Sequence, residues 1–275
     1  MRIALLQMTS GIDPVANTAA IVDAIGAAKR GGADMLFAPE MAVLLDSDRV
    51  RSASGIVVES DSDALKAICD AARDEGIWVH PGSLPLLSEG DEGRRVNRSF
   101  VIDNTGKIRA HYDKIHRFDV TLASGESWRE SNVYDGGTRA VAVDTPWGGL
   151  GLAICYDLRF PALFDALGNA RCDMIALPSA FTVPTGREHW HVLIRARAIE
   201  SACFMIAPAQ TGEHEDGRRT YGHSLVVDPW GRVALDMGEE AGLGFADIDM
   251  QLVADARAQI PVLDHRRTIG EAEIY

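Results

Sequence analysis

The chain has 275 residues, 47% apolar and 24% charged, an ordinary globular composition with enough length to bury a sizeable core without covalent staples. A formal net charge of −13 repels phosphate backbones at long range, and no cluster of Lys and Arg reverses that field locally, so nucleic acid is not an expected partner. Cys69, Cys155, Cys172 and Cys203 form no Cys-x-x-Cys pair, which argues against a disulfide framework or zinc ribbon and fits a cytoplasmic protein.

The stretch Met1 to Met8 is too short for the apolar region of a signal peptide and reads as a first strand over 3–8; no later run is long enough to cross a bilayer. A helical pattern follows at 14–30, a strand at 35–38, a helix at 61–75 and a strand at 77–80. Two further strands, 99–103 and 107–112, flank Asn104-Thr-Gly106, a short glycine-bearing connection that predicts a hairpin and rules out a purely parallel sheet. Strands at 140–143 and 150–154, a helix at 161–170, a strand at 174–177, a helix at 187–202, strands at 204–208, 224–227 and 243–248 and a helix at 250–259 complete the alternation. The acidic, Gly-rich stretches 88–93 and 212–217 read as exposed loops. With no internal repeat and no linker, the expectation is one mixed α/β domain over 1–275. The Asn97-Arg-Ser99 sequon is then fortuitous.

Three reactive side chains lie just beyond probable strands. Glu40 closes Asp34-Met-Leu-Phe-Ala-Pro39, Lys114 follows 107–112, and Cys155 ends the apolar run Gly149 to Ile154. Sites in α/β proteins gather at strand ends, so these residues converge if their strands lie side by side. Taken singly, Glu40 reads as an exposed carboxylate, Lys114 as a solvated turn residue and Cys155 as a small core hydrophobe, the reading kept for the other three cysteines. Only the ordered triple argues for chemistry.

The segments Phe37-Ala-Pro-Glu-Met41, His111-Tyr-Asp-Lys-Ile-His-Arg-Phe-Asp119 and Ala153-Ile-Cys-Tyr-Asp-Leu-Arg-Phe-Pro161 resemble the three catalytic signatures of the nitrilase superfamily of carbon-nitrogen hydrolases. Glu126 to Asn132, His189 to Glu200, Tyr221 to Gly231 and His265-Arg-Arg267 resemble its Nit branch, in particular the deaminated glutathione amidases and ω-amidases. The resemblance implies a four-layer αββα sandwich with mixed sheets, pairing of two or more copies, no metal and no cofactor, and a small-molecule amide as substrate. It also implies that Cys155 attacks the amide carbonyl as a thiolate and that Glu40 moves the protons. Lys114, with the Tyr156 backbone N–H, holds the oxyanion, and Glu130 orients the lysine or the substrate amide.

Other polar residues have competing readings. His111 with His116, or His189 with His191, suggests a metal pair, but a spacing of two on a helix sends 189 and 191 to different faces, and no His-Glu-x-x-His pattern accompanies them. His223 reads as a hydrogen-bonded structural residue. Arg195, Arg197 and Glu200 fit ion pairs on one helix. A substrate carboxylate needs a guanidinium: Arg187 and Arg219, in expected loops, are the binding candidates, while Arg159 is expected to pair with Asp157. N-carbamoyl hydrolysis and nitrile hydrolysis are the enzymatic alternatives, though Cys155-Tyr-Asp157 departs from the Cys-Trp-Glu of true nitrilases. A catalytically silent scaffold is the remaining one. Specificity is assigned to loops 42–55, 121–130 and 181–188.

Overall fold

The computed structural model describes residues 1–89, 93–121, 125 and 127–274. Two sheets organise it. The first has the order β17-β1-β2-β3-β5-β4, with β6 also paired to β5. Its strands are β1 (Arg2–Gln7), β2 (Met35–Phe37), β3 (Trp78–His80), β4 (Ser83–Leu87), β5 (Arg95–Ile102), β6 (Ile108–Asp113) and β17 (Gly242–Asp247). The second sheet has the order β16-β15-β12-β11-β10-β9. It comprises β9 (Val141–Thr145), β10 (Gly148–Leu152), β11 (Met174–Ala176), β12 (Phe204–Ala207), β15 (Leu225–Val227) and β16 (Val233–Asp236). Each sheet has a parallel centre, β1-β2-β3 and β10-β11-β12, with antiparallel neighbours, so both are mixed.

Strand alternation sorts the side chains into layers. On β1, Ile3 and Leu5 enter the core between the sheets, while Ala4 and Leu6 face α1 (Pro14–Arg30) and α2 (Asp63–Glu75), represented there by Ile21, Ile25, Leu65 and Ile68. Leu163, Phe164, Trp190 and Ile194 of α3 (Pro161–Asn169) and α4 (Val183–Ser201) join the core on the second sheet. The result is the four-layer αββα sandwich with mixed sheets. A fifth helix, α5 (Gln251–Gln259), adds Val253 to the same core.

Local chemistry explains the ends. Asp13 caps α1 by accepting from the N–H of Val15, and Pro14 stands in the first turn, where its missing N–H costs nothing. Ser62 caps α2, and Gly76 ends it in the left-handed region at φ +62°. The 104–106 hairpin forms as expected. Helix α4 begins at Val183 rather than 187, because Pro184 sits in its first turn and opens the helix instead of breaking it. Strand β4 was hidden by Pro85; it is an edge strand, where a missing N–H is tolerated. The edge strand β16 and two short ladders were also missed: β7 (Asp119–Thr121) with β8 (Ser127–Arg129), and β13 (Thr211–Glu213) with β14 (Arg219–Tyr221). The 212–217 stretch is the turn of the second ladder and is not uniformly exposed, since His214 is buried and the Asp216 carboxylate is shielded. Of the acidic stretch 88–93, residues 90–92 lie outside the described residues.

The turn after β2 is packed by the β3–β4 connection. The N–H of Ser83 donates to Pro39 O, the N–H of Met41 donates to Ser83 Oγ, and Gly82, at φ +74°, lies so close that a Cβ on it would meet Pro39 O at 1.7 Å. A Gly82→Ala substitution is therefore expected to displace residues 39–41 and to cost more than about 2 kcal/mol, combining backbone strain with overlap. Urea unfolding together with an activity assay checks this; unchanged stability would mean that the turn is not pinned by Gly82.

Candidate active site

Glu40, Lys114 and Cys155 meet at one cavity of about 320 Å³, whose lining also includes Glu130 and Tyr156. All three are buried. Two of them are delivered by corresponding devices: Glu40 leaves the parallel strand β2 and Cys155 follows the parallel strand β10. The backbone enters the left-handed region at Met41 (φ +54°) and at Cys155 (φ +47°). Such conformations cost of order 1–3 kcal/mol for a non-glycine residue and persist only where the surroundings enforce them. At Cys155 the N–H donates to Pro178 O beyond β11, and a 3₁₀ turn (Cys155–Arg159) begins.

Asp157 holds that turn against the first sheet. Its fully buried carboxylate accepts from the Ile154 N–H (2.9 Å), the Tyr112 hydroxyl (2.7 Å) and the His116 N–H (3.1 Å), and it lies 2.7 Å from His116 Nδ1. Tyr112 and His116 flank Lys114 in sequence, so one carboxylate fixes the lysine-bearing segment to the cysteine-bearing turn. The expected Asp157–Arg159 pair does not form, because both oxygens of Asp157 are already taken. Arg159 instead lies over the rings of Tyr156 and Phe181, at 5.9 and 5.4 Å, on the cavity wall.

Lys114 Nζ donates to Glu40 Oε1 at 2.9 Å and to both oxygens of Glu130 at 3.1 and 2.9 Å. Glu130 also accepts from the Phe118 N–H at 2.6 Å. Asn97 Nδ2 donates to the same Glu40 Oε1 at 2.9 Å, which leaves Oε2 to take a proton. Burial by itself would push the Lys114 ammonium down, but Glu130, Glu40 and Cys155 together hold it well above the ordinary lysine value. Burial, followed by the Glu40 charge, pushes the Cys155 thiol well above its usual value, against the opposing pull of Lys114. The single ammonium is already shared by two carboxylates, so a third negative charge in the same buried space is disfavoured.

Sequence reasoning missed Asn97, Tyr112 and the Ala180 backbone N–H, which faces the Cys155 sulfur. The first was visible only as a sequon; since its amide is buried and bonded to Glu40, the site has no room for a glycan. Nothing in the sequence marks the others. Arg187 is not among the cavity-lining residues: it is exposed in α4, not in a loop. Arg219 belongs to β14 and lines an adjoining cavity of about 250 Å³, which shares Phe118, Trp128 and Arg218 with the first. Of the expected specificity loops, 183–188 is helical, Ala42–Leu45 is buried, and 122–124 and 126 lie outside the described residues. His189 and His191 do diverge, the former towards Arg159 and the latter towards Asp236.

The carbon-nitrogen hydrolase family model matches residues 2–258, and the chain belongs to that family. It is 36% identical to the deaminated glutathione amidase of Synechocystis over 96% of this chain and 97% of that protein. The nitrilase and fragile histidine triad fusion protein NitFhit of Caenorhabditis elegans is 38% identical over 97% of this chain, which spans 60% of that relative's length; its crystal structure superposes with a TM-score of 0.88. An amidase from Nesterenkonia, 26% identical over 95% of this chain and 98% of the solved chain, superposes with a TM-score of 0.79 in a Glu-to-Gln variant that shows Michael addition of acrylamide at the active-site cysteine.

The charge relation between Glu40 and Cys155 gives a signed expectation. Because the Glu40 carboxylate raises the thiol, Glu40→Gln should increase the thiolate fraction, and alkylation of Cys155 by iodoacetamide at pH 8 should be at least as fast as in the unmodified chain. Ammonia release should nevertheless be lost. Peptide mapping of alkylated Cys155 over time checks it, and markedly slower labelling in the variant would contradict the electrostatic assignment.

Proposed function

We propose that this chain hydrolyses a linear carboxamide to a carboxylate and ammonia through a thioester on Cys155, with deaminated glutathione or a short dicarboxylic monoamide as the substrate. The observation that carries the reading is the meeting of Cys155, Glu40 and Lys114 in one cavity. Glu40 takes the thiol proton as sulfur attacks the carbonyl carbon, forming the C–S bond, and passes the proton to the departing nitrogen as the C–N bond breaks. It then removes a proton from water, whose oxygen displaces the thiolate, and that proton returns to sulfur. Lys114 and the Tyr156 N–H, in the first turn of the 3₁₀ segment, carry the oxyanion.

The arginines of the cavity support an acidic substrate. Arg218 is paired with Asp216; Arg95 donates to Ser52 Oγ and Arg49 O; Arg129 donates to the carbonyls of Val120 and Trp128 and to Thr121. That leaves Arg49 and Arg159, neither with a carboxylate partner among the described residues; Arg159 stands four positions after Cys155 and lies over Tyr156 and Phe181 on the cavity wall, so it replaces Arg187 and Arg219 as the anchor for a substrate carboxylate. Four free cysteines support a reducing, cytoplasmic setting, and no helix among the described residues is long and apolar enough to cross a membrane. Exposed Val192 and Ile199, seven residues apart on α4, support pairing with a second copy.

Cys155→Ala should abolish ammonia release, and Lys114→Ala should lower kcat by about 10²–10³-fold through loss of an oxyanion donor. Cys69, Cys172 and Cys203 variants should stay active, and prolonged chelator treatment should leave kcat unchanged. The deciding assay is ammonia release from deaminated glutathione, α-ketoglutaramate, a carbamoyl amino acid and an aliphatic nitrile; turnover confined to the last two would overturn the reading.

Arg159→Ala should cost about one to two powers of ten in kcat/KM on an acidic amide. It should change a matched neutral amide little. Arg187→Ala should be indistinguishable from the unmodified chain on both, and an equal loss on both amides in Arg159→Ala would remove the anchor.

A further inference from the structure

Away from the cavity, His191, His223 and Asp236 bring three potential metal-ligand atoms within 4.8 Å of one another. His191 Nε2 lies 2.9 Å from Asp236 Oδ2, and His223 Nδ1 lies 2.9 Å from Asp236 Oδ1, so each carboxylate oxygen faces one imidazole nitrogen. The residues come from three separate elements: His191 from α4, His223 from the segment between β14 and β15, and Asp236 from the end of β16.

The neighbourhood fixes these groups. The His223 backbone is left-handed at φ +55°, held by its N–H donating to Gly238 O at 2.6 Å and its carbonyl accepting from Trp190 Nε1 at 2.8 Å. Its ring stacks on Tyr221 at 4.4 Å, and Tyr221 in turn fits against α4 only because residue 186 is glycine, where a Cβ would meet the tyrosine at 2.3 Å. Asp236 Oδ1 accepts from the Gly238 N–H at 2.9 Å. The side chains remain partly open to solvent, at 34% for His191, 21% for His223 and 32% for Asp236, so an ion can enter and keep a water ligand.

We propose that His191, His223 and Asp236 bind a borderline divalent cation of the zinc type, which staples α4 to the β16 edge of the second sheet. Two imidazoles and one carboxylate are a donor set suited to such ions, which such donors hold at about 2.0–2.2 Å. On binding, each neutral ring carries its proton on the outer nitrogen, Nδ1 of His191 and Nε2 of His223, and a protonated ring releases one proton. The site lies outside the proposed chemistry, so it stands or falls separately from the amidase reading.

The test uses the full chain stripped with a chelator and titrated with zinc chloride against a chromophoric indicator, with cobalt chloride as a spectroscopic probe. The expected result is one ion per chain, retained in Cys155→Ser, with a cobalt spectrum free of thiolate charge-transfer bands. Affinity should fall at least tenfold in His191→Ala and in Asp236→Asn. Zinc should raise Tm in the unmodified chain and not in His191→Ala, while kcat of zinc-loaded and stripped enzyme should agree. Unchanged affinity in His191→Ala, loss of binding in Cys155→Ser, or no uptake at micromolar zinc would each overturn the proposal.

Discussion

The ammonium of Lys114, buried and shared between Glu40 and Glu130, is the constraint on which the site depends. One positive charge faces two negative ones in a space from which water is largely excluded. Removing the lysine from such a buried group is costly, about 3–5 kcal/mol, because it strands uncompensated carboxylates. Burial, with the Glu40 charge adding to it, pushes the nearby Cys155 thiol up against the pull of the same ammonium. In the proposed chemistry transfer of the thiol proton neutralises Glu40 at the moment the oxyanion forms, which frees hydrogen-bonding capacity on Lys114 for the new charge. Positioning and timing then follow from one shared cation.

Bringing these charges together requires both sheets. Glu40 and Lys114 belong to the first sheet and Cys155 to the second, and the apolar layer between them, with Ile3, Leu5 and Phe37 on one side and Leu150, Leu152 and Ile206 on the other, sets their separation. Asp157 ties the two halves at the site itself. Its bonds to Tyr112, His116 and Ile154 join the segment around Lys114 to the turn around Cys155, so the left-handed backbone at Cys155 is held from both sides. A site assembled in this way is stiff, and its geometry depends on packing some distance from the reacting atoms.

The charge balance of the whole molecule and that of the cavity have opposite signs. A net charge of −13 repels an acidic small molecule at a distance, whereas five arginines line the cavity. Salt screens the first effect beyond roughly 8–10 Å, and the second acts at contact. Most of these guanidiniums are committed to the protein, which narrows recognition to the few that are not.

How far the sequence alone reached follows from which interactions are local. Period-2 and period-3.6 patterns, caps such as Asp13 and Ser62, and the Asn104-Thr-Gly106 turn report on neighbouring residues, so the main strands and helices were legible. The strand-end positions of Glu40, Lys114 and Cys155 were legible for the same reason. Elements stabilised only by pairing partners were not: β4 carries a proline that an edge strand tolerates, and β7, β8, β13 and β14 are three residues each. Which arginines line the cavity, which oxygen of Glu40 stays open, and which way burial and neighbouring charges push the thiol were decided by tertiary structure. Direction, burial and the sum of neighbouring charges are properties of residues far apart in the chain, and Asn97 beside Glu40 and Asp236 between two histidines acquire their partners only when the sheets close.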